Sequence, residues 1–298
     1  MSVKGRREYV HAGKAFAEHP GASLKRCRNL KCERYNKDTV MFIDSHCHLD
    51  RIDLTPYQND FSCFMQAVTE NRVEHMLCIS IDLESYPTLC ALTSGYPQIS
   101  LTVGVHPNVQ DGKDPTADEL IRLGQSEKVL AIGETGLDYF RSEGDLTWQH
   151  QRFRRHIQAA KTLKKPLIIH TRDARDDTLK ILEEEGADRI GGVIHCFTED
   201  WDFAVRAMEL NFYISFSGIV TFNNAKAIQE TAQKIPADRF LIETDSPYLA
   251  PTPFRGKPNY PIYVRYVAEK IAQLRGVTVE TIAEQSSTNF KRLFNVAC

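Results

Sequence analysis

Two histidines that could bind a metal, His46 and His48, follow a short apolar run in the stretch FIDSHCHLD, residues 42–50. Side chains alternate between the two faces of a β-strand, so residues two apart point the same way and these imidazoles become neighbours. Two imidazoles on one face can bind one cation. The pair alone indicates little, because polar residues are common near strand ends, and its meaning depends on how the other apolar runs end.

Four more residues with metal-binding side chains follow later apolar runs: Glu134, His170, His195 and Asp245. From His46 to Asp245 the chain takes about 28 residues for each of seven β/α steps, a spacing that repeats one structural unit. Any single histidine is more often an interior residue than a ligand. Six candidate ligands at matching strand ends are hard to obtain by chance, so the pattern predicts a metal centre.

The predicted centre holds two divalent cations. We assign His46, His48 and Asp245 to the first cation, His170 and His195 to the second, and Glu134 to both. Imidazole with carboxylate suits zinc, manganese, iron or cobalt, whereas magnesium prefers more oxygen, and we expect Mg²⁺, Mn²⁺ or Zn²⁺. The two cations would share a water, lower its pKa and bind the oxygens of an in-line displacement. Glu134 and Asp245 are then the catalytic residues, with Asp245 also able to take the proton of the attacking water.

A scaffold that brings these residues together is predicted by a repeated pattern, in which a short β-branched apolar run is followed by a loop and an amphipathic helical stretch. The eight runs are Phe42–His46, His75–Ile81, Ile99–Val105, Val129–Gly133, Leu167–His170, Gly192–His195, Phe212–Phe216 and Phe240–Glu243. The helical stretches include Thr147–Leu163, Tyr260–Arg275 and Val279–Phe294, the last two after the eighth run. Alternating β and α elements indicate an α/β protein with a parallel sheet, and eight units indicate a closed (β/α)₈ TIM barrel, whose active site lies at the carboxyl ends of its strands. A Rossmann fold would need a glycine fingerprint after the first strand, and none is present.

The barrel is predicted to span residues 41–298, preceded by a basic extension over residues 1–40. The extension has ten Lys and Arg against four Asp and Glu, an excess of six positive charges, whereas the whole chain carries −2. The remainder therefore carries −8. An acidic body is a poor host for a phosphate-bearing substrate unless cations lie in its cleft.

Six further residues near the predicted mouth are candidates for substrate binding: His106, Asp138, Arg172, Phe197, Tyr248 and Arg255. Arginine's planar fork suits phosphate oxygens, and Tyr248 and Phe197 could stack on a base. Two of the six have a second interpretation. Asp138 could instead orient a ligand histidine, and Arg255 could instead pair with an acid such as Asp245 or Glu243.

The location expected from the sequence is the cytoplasm. No apolar segment approaches the roughly 18 residues that span a bilayer, and the N-terminus lacks an apolar signal region. Five cysteines lie in or near predicted core elements, which favours reduced thiols. They are Cys47, Cys63, Cys78, Cys90 and Cys196. No membrane association is expected, and no obligate protein partner is evident.

The order and content of several motifs resemble the TatD family of metal-dependent hydrolases, deoxyribonucleases with an amidohydrolase-like barrel. The motifs are FIDSHCHLD, VGVHP, IGETGLDY, PLIIHTRDA, GGVIHCF and LIETDSPYLAP followed by FRGKPN, over about residues 41–295. The resemblance implies the same six metal ligands. It also implies magnesium- or manganese-dependent cleavage of DNA ester bonds, often 3′ to 5′ on single strands, so the expected partner is DNA, as single strands or 3′ ends.

Two other functions fit the same residues. One is hydrolysis of a small amide, ester or phosphate at the same metal site, although a neutral substrate would need neither Arg172 nor Arg255. The strand-four lysine that is carbamylated in many amidohydrolase relatives is also missing, and Glu134 takes its place. The other is a non-catalytic nucleic-acid-binding protein, which would predict a basic stripe on a body that carries −8.

Overall fold

The strands form a nearly closed parallel barrel in a computed structural model, which describes residues 40–296. Hydrogen-bonded neighbours follow chain order from β1 to β8, so the predicted (β/α)₈ fold is confirmed. The strands are β1 Phe42–Cys47, β2 Val73–Cys78, β3 Ile99–Val103, β4 Val129–Asp138, β5 Leu167–Arg172, β6 Gly192–Ile194, β7 Phe212–Phe216 and β8 Phe240–Ile242.

Helices fill the connections and pack around the sheet. They are α1 Phe61–Glu70, α2 Tyr86–Thr93, α3 Ala117–Gly124, α4 Thr147–Leu163, α5 Arg175–Glu184, α6 Trp201–Glu209, α7 Lys226–Lys234, α8 Val264–Arg275 and α9 Val279–Phe294. The bounds of α4 and α9 are those expected from the sequence. The predicted helix Tyr260–Arg275 begins later, at Val264, because Pro261 opens a short 3₁₀ helix, Pro261–Tyr263, before it.

Strand β4 extends past the predicted apolar run, which ended at Gly133, and continues to Asp138. The extension pairs with β5, where Gly136 lies opposite His170 and Asp138 opposite Arg172. Gly136 has φ +137°, and a Cβ there would lie 2.0 Å from the carbonyl oxygen of His170. Only glycine therefore allows β4 and β5 to approach closely at the level of the predicted site.

The interior of the barrel is apolar below that site. Ile43, Leu77, Ile168 and Leu241, from four different strands, pack in one buried cluster. Two phenylalanines of α9 join the cluster, so this helix covers the amino-terminal end of the barrel. An apolar core beneath the mouth leaves the carboxyl end as the place for polar side chains.

The barrel is joined between β8 and β1 at its carboxyl end. The backbone N–H of Asp245 donates to the carbonyl of His46 (2.9 Å), and the N–H of His48 donates to that of Ser246 (2.8 Å). The hydroxyl of Thr244 donates to the carboxyl of Asp44 (2.5 Å). This join fixes the backbones of three candidate ligands relative to one another.

The predicted extension lies outside the described residues, except for Val40, and the predicted domain boundary stays a prediction. Between residues 40 and 296, no helix combines the length and the apolar composition needed to cross a bilayer. Cys47, Cys78, Cys90 and Cys196 carry free thiols, as expected. Cys63 is disulfide-bonded, so the expectation of a reduced thiol was wrong there.

Candidate metal centre

The structure brings all six predicted ligands to one point at the carboxyl end of the barrel. In the first group, the Nε2 atoms of His46 and His48 are 3.3 Å apart. Asp245 Oδ1 lies 3.5 Å from the first nitrogen and 3.3 Å from the second. Glu134 Oε2 lies 3.4 Å from His46 Nε2. Atoms about 2.0–2.2 Å from one tetrahedral ion are roughly 3.4 Å from one another, so these four side chains fit a single cation.

The second group surrounds the other oxygen of Glu134. His170 Nδ1 lies 3.1 Å from Glu134 Oε1, and His195 Nε2 lies 2.7 Å from the same atom. The contact of His195 is close but lacks hydrogen-bond geometry. A close contact of a nitrogen and an oxygen without hydrogen-bond geometry is expected when both atoms are ligands of one ion, because each directs a lone pair at the ion.

Glu134 therefore has one oxygen turned to each histidine group, as the predicted bridging role requires. Its side chain is buried on β4. Burial by itself raises the pKa of Glu134, but its interactions with the surrounding histidines, above all the charge of His195 and the hydrogen bond with His170, outweigh burial and hold the pKa well below the usual value. The carboxylate is thus ionised and available as a ligand.

Asp138 orients His170, which is the second interpretation given above. Its Oδ2 atom lies 3.0 Å from His170 Nε2 and accepts a hydrogen bond from the Asn108 side chain (2.8 Å). Its Oδ1 atom accepts the backbone N–H of Arg141 (2.9 Å). With Nε2 engaged by a buried carboxylate, His170 presents Nδ1 to the metal site.

Glu243 has the same role toward His195, and sequence analysis missed it as a site residue. It is buried, lies 3.3 Å from His195 Nδ1 through Oε1, and accepts the Cys196 backbone N–H at 2.7 Å. His195 therefore presents Nε2 to Glu134. A signal was present in the sequence, because Glu243 and Asp245 are two residues apart and follow one strand, like His46 and His48.

Asp245 has a left-handed backbone conformation, with φ +54°. Such a conformation is unfavourable for a residue with a side chain and is retained at sites where the surroundings fix it. The hydrogen bond from its N–H to His46 is one such constraint. Burial raises the pKa of Asp245, but the hydrogen bond from His48 and the charges of nearby histidines lower it below the usual value.

His106, predicted to bind substrate, lies beside the same centre, with Nε2 3.4 Å from Glu134 Oε1. Its Nδ1 accepts the backbone N–H of Asn108 (3.0 Å). Burial lowers the pKa of His106 to about 3, so the ring is neutral at neutral pH. A neutral ring that accepts at Nδ1 carries its proton on Nε2, the nitrogen that faces Glu134, so His106 is placed as a hydrogen-bond donor to that carboxylate rather than as a seventh ligand.

The two predicted arginines remain available to an anion. The guanidinium of Arg172 lies 3.9 Å from the ring centre of Phe140, and that of Arg255 lies 4.4 Å from the ring centre of Phe222. Neither forms an ion pair with any residue between 40 and 296, so the alternative pairing of Arg255 with Asp245 or Glu243 is absent there.

The two residues predicted to stack on a base, Tyr248 and Phe197, differ in the exposure of their rings. Tyr248 is 42% exposed, and its ring centre lies 5.9 Å from that of His48. Phe197 is 1% exposed and packs against Phe203 and Phe216. The prediction that Phe197 stacks on a base was wrong, because its ring points into the core rather than the mouth.

Comparison with known proteins identifies the family to which the chain belongs. Residues 43–295 match the model described as TatD related DNase. The chain is 45% identical over 258 residues to the metal-dependent hydrolase YcfH of Escherichia coli (strain K12), covering 86% of this chain and 97% of the relative. It is 42% identical over 259 residues to the metal-dependent hydrolase YabD of Bacillus subtilis (strain 168), covering 86% and 100%.

Among solved structures, YJJV, a TatD homologue from Escherichia coli K12, superposes with a TM-score of 0.78 at 28% identity, covering 86% of this chain and 98% of that one. A TatD family hydrolase from Entamoeba histolytica, 21% identical with a TM-score of 0.74 and coverages of 85% and 98%, shares the fold. The match of the family model, the identity to two bacterial relatives and the clustered histidines and carboxylates agree. The chain belongs to the TatD family of metal-dependent hydrolases.

Proposed function

We propose that this hydrolase cleaves phosphodiester bonds of DNA at a centre of two divalent cations, acting 3′ to 5′ on single strands or 3′ ends. The observation that carries the proposal is the Glu134 carboxylate, which has one oxygen 3.4 Å from His46 and the other 2.7 Å from His195. A single buried carboxylate between two sets of imidazoles is the arrangement expected of a ligand shared by two cations.

The residues that would hold the cations follow from the two groups. His46, His48 and Asp245 would bind one, His170 and His195 the other, and Glu134 both. Bound Mg²⁺, Mn²⁺ or Zn²⁺ would supply an activated water at neutral pH and offset the charge of the reacting phosphate. Asp138 and Glu243 hold the ring orientations that this binding needs.

Asp245 is proposed to accept a proton from the attacking water. Its pKa is lowered, so its carboxylate is ionised at neutral pH. The hydrogen bond from the Asp245 backbone N–H to the carbonyl of His46 fixes the backbone of Asp245. A general base must be ionised, and it must be held within reach of the proton. The carboxylate of Asp245 is ionised, and the backbone that carries it is fixed in position.

An anionic substrate is favoured over a neutral one by the groups around the centre. Arg172 and Arg255 form no ion pairs within residues 40–296, so both positive charges can pair with an anionic substrate. A small neutral amide or ester has no charge to pair with them. A phosphodiester has one, and its phosphate oxygens can accept hydrogen bonds from arginine.

DNA is proposed as the partner, in the cytoplasm, with no obligate protein partner. That no protein partner is needed for the site is supported by the chain itself, which supplies all six candidate ligands together with the two carboxylates that orient them. The acidic body makes cations at the mouth necessary for DNA to approach.

Metal-dependent cleavage tests the proposal. Purified protein is incubated with single-stranded and duplex DNA, with EDTA and then with Mg²⁺ or Mn²⁺ added back. We expect cleavage only with metal, and a loss of at least about 100-fold in Glu134→Ala and Asp245→Ala, since each removes a ligand and a reacting group. Glu74→Gln is the matched control, because Glu74 pairs with Lys291 of α9 at the other end of the barrel. Cleavage that survives both site substitutions, or that needs no metal, contradicts the proposal.

A further inference from the structure

One face of α4 carries buried polar side chains that contact the loops after β3 and β4. Gln149, Arg152 and His156 are all buried, and their spacing places them on one side of the helix. His156 accepts the backbone N–H of Val105 in the loop after β3. Since buried polar groups are kept where they have hydrogen-bond partners, the partners of Gln149 and Arg152 show what this face of α4 holds in place.

Gln149 binds the backbone of Asp138, the residue that orients His170. The side-chain oxygen of Gln149 accepts the N–H of Asp138 (3.0 Å), and its side-chain nitrogen donates to the carbonyl of Asp138 (3.2 Å). The same nitrogen donates to the Ser142 hydroxyl (2.7 Å). The ladder between β3 and β4 ends at Ile132, whereas β4 continues to Asp138. The Gln149 amide therefore takes the place of a neighbouring strand at the end of β4.

Arg152 holds the loop after β3. Its Nη1 atom donates to the backbone carbonyls of His106 (3.0 Å) and Val109 (2.7 Å). The same loop carries Asn108, whose side chain donates to Asp138 Oδ2 (2.8 Å). Helix α4 thus fixes Asp138 twice, directly at its backbone and, through the loop after β3, at its carboxylate.

Both contacts end at the group that orients one ligand of the centre. Asp138 Oδ2 lies 3.0 Å from His170 Nε2, so a shift of this carboxylate would turn the ring that presents Nδ1 to the site. The ligands assigned to the other cation lie on β1 and on the segment after β8, where backbone hydrogen bonds join them directly. The two sides of the centre therefore have separate supports.

We propose that Gln149 and Arg152 are positioning residues for the cation between His170 and His195, and that they do not affect the cation held by the other three residues. This inference rests on the proposed function, because it concerns one of the two proposed cations, and deepens it by naming residues outside the centre that support that cation. A defect on this face of α4 should empty one side of the centre and leave the other filled.

Calorimetric titration of metal-free protein with Mn²⁺ measures both affinities. We expect Gln149→Leu, which cannot bind the Asp138 backbone, to weaken one binding step by roughly tenfold and to leave the other unchanged, since residues behind a ligand alter metal affinity by about 10- to 100-fold. Arg152→Lys should weaken the same step. Lysine keeps the charge beside Asp114 but lacks the planar fork that binds Asp114 and the loop carbonyls together.

Gln229→Leu is the matched control. Gln229 is also a buried glutamine, on α7, and its side-chain nitrogen donates to the carbonyls of Val220 (3.0 Å) and Phe222 (2.9 Å). These carbonyls belong to the loop after β7, which supplies none of the six candidate ligands. Gln229→Leu should therefore lower stability in urea unfolding, as Gln149→Leu does, yet leave both Mn²⁺ affinities unchanged.

Anomalous diffraction from crystals soaked in limiting Mn²⁺ identifies the weakened step, and the peak between His170 and His195 should be the one that falls in Gln149→Leu. No change in either step, or equal weakening of both in Gln149→Leu and Arg152→Lys, overturns the inference while nuclease activity stands. If the protein cleaves no DNA, the proposed function fails and the titration still decides the inference. If the wild-type protein binds one ion, the two-cation mechanism fails, and the inference holds only if that ion lies between His170 and His195 and Gln149→Leu weakens its binding.

Discussion

Each imidazole of the centre is useful only if one particular nitrogen faces the shared carboxylate. His170 presents Nδ1 because Asp138 engages Nε2, and His195 presents Nε2 because Glu243 engages Nδ1. A hydrogen bond to one ring nitrogen thereby determines which nitrogen can bind a metal. At the residue scale, metal binding therefore depends on the buried carboxylates of Asp138 and Glu243 almost as much as on the histidines that they orient.

Glu243→Gln tests this dependence. The substitution keeps the size of the side chain but removes the charge that holds His195 Nδ1–H, so we expect metal affinity to fall about 10- to 100-fold. Titration of metal-free protein with Mn²⁺, followed by calorimetry, measures the change, with Glu74→Gln as the control. Unchanged affinity for both cations would show that Glu243 does not orient His195.

The clustering of the six candidate ligands could be predicted because each of them lies at the end of an apolar run or directly after one. Glu243 was missed because it belongs to the strand end itself, where a buried acid has no partner that the sequence reveals. Phe197 was misassigned for a related reason. It follows β6 as Tyr248 follows β8, and only packing shows that one ring is 1% exposed and the other 42%.

At the scale of elements, β4 decides where the shared ligand lies. Gly133 and Gly136 look like the end of a strand in the sequence, yet both allow backbone to approach neighbouring strands. The predicted strand therefore stopped at Gly133, whereas the ladder with β5 continues to Asp138. Helices α4 and α9 were predicted correctly because regular apolar spacing and clear end signals agree for both.

Gly136→Ala should disturb the site through this approach. A methyl group there meets the carbonyl oxygen of His170 and also requires a φ of +137°, so we expect a loss of about 2–5 kcal/mol in the free energy of unfolding. Gly144→Ala is the matched control, since its φ is +83° but nothing lies within 4 Å. Urea unfolding measures both. Equal effects of the two substitutions would show that close approach of β4 and β5 contributes nothing.

Helix α4 should make stability depend on pH through His156. Its Nε2 accepts the Val105 N–H (3.0 Å), and burial lowers the pKa of His156 to about 4 from an ordinary 6.5. The unfolded chain therefore takes up a proton first as the pH falls. The stabilisation is complete above pH 6.5 and decreases as the pH falls from 6.5 to 4, reaching a loss of about 2 kcal/mol at pH 5.

Urea unfolding of metal-free protein at pH 7 and pH 5 measures this loss. His156→Gln keeps an acceptor for Val105 but does not titrate, so it should lose about 2 kcal/mol less than the wild-type protein between the two pH values. The difference between the two proteins removes the contributions of all other groups. An identical loss in both would show that His156 is protonated equally in the folded and unfolded chains.

At the scale of the whole molecule, the barrel brings side chains that are far apart in sequence together around one buried carboxylate, that of Glu134. The hydrogen bonds between β1 and the segment after β8 hold Asp245 beside His46 and His48, and β4 to β6 provide Glu134, His170 and His195. The fold was predictable because eight similar units leave few alternatives. The substrate was not, because the mouth is lined by loops whose side-chain directions the pattern does not contain.

The proposed mechanism depends most on two cations that share Glu134. Anomalous diffraction from crystals grown with Mn²⁺ tests this directly. We predict two peaks about 3.5–4 Å apart, one among His46, His48 and Asp245, the other between His170 and His195, with Glu134 contacting both. A single peak, or peaks away from these six side chains, would contradict it.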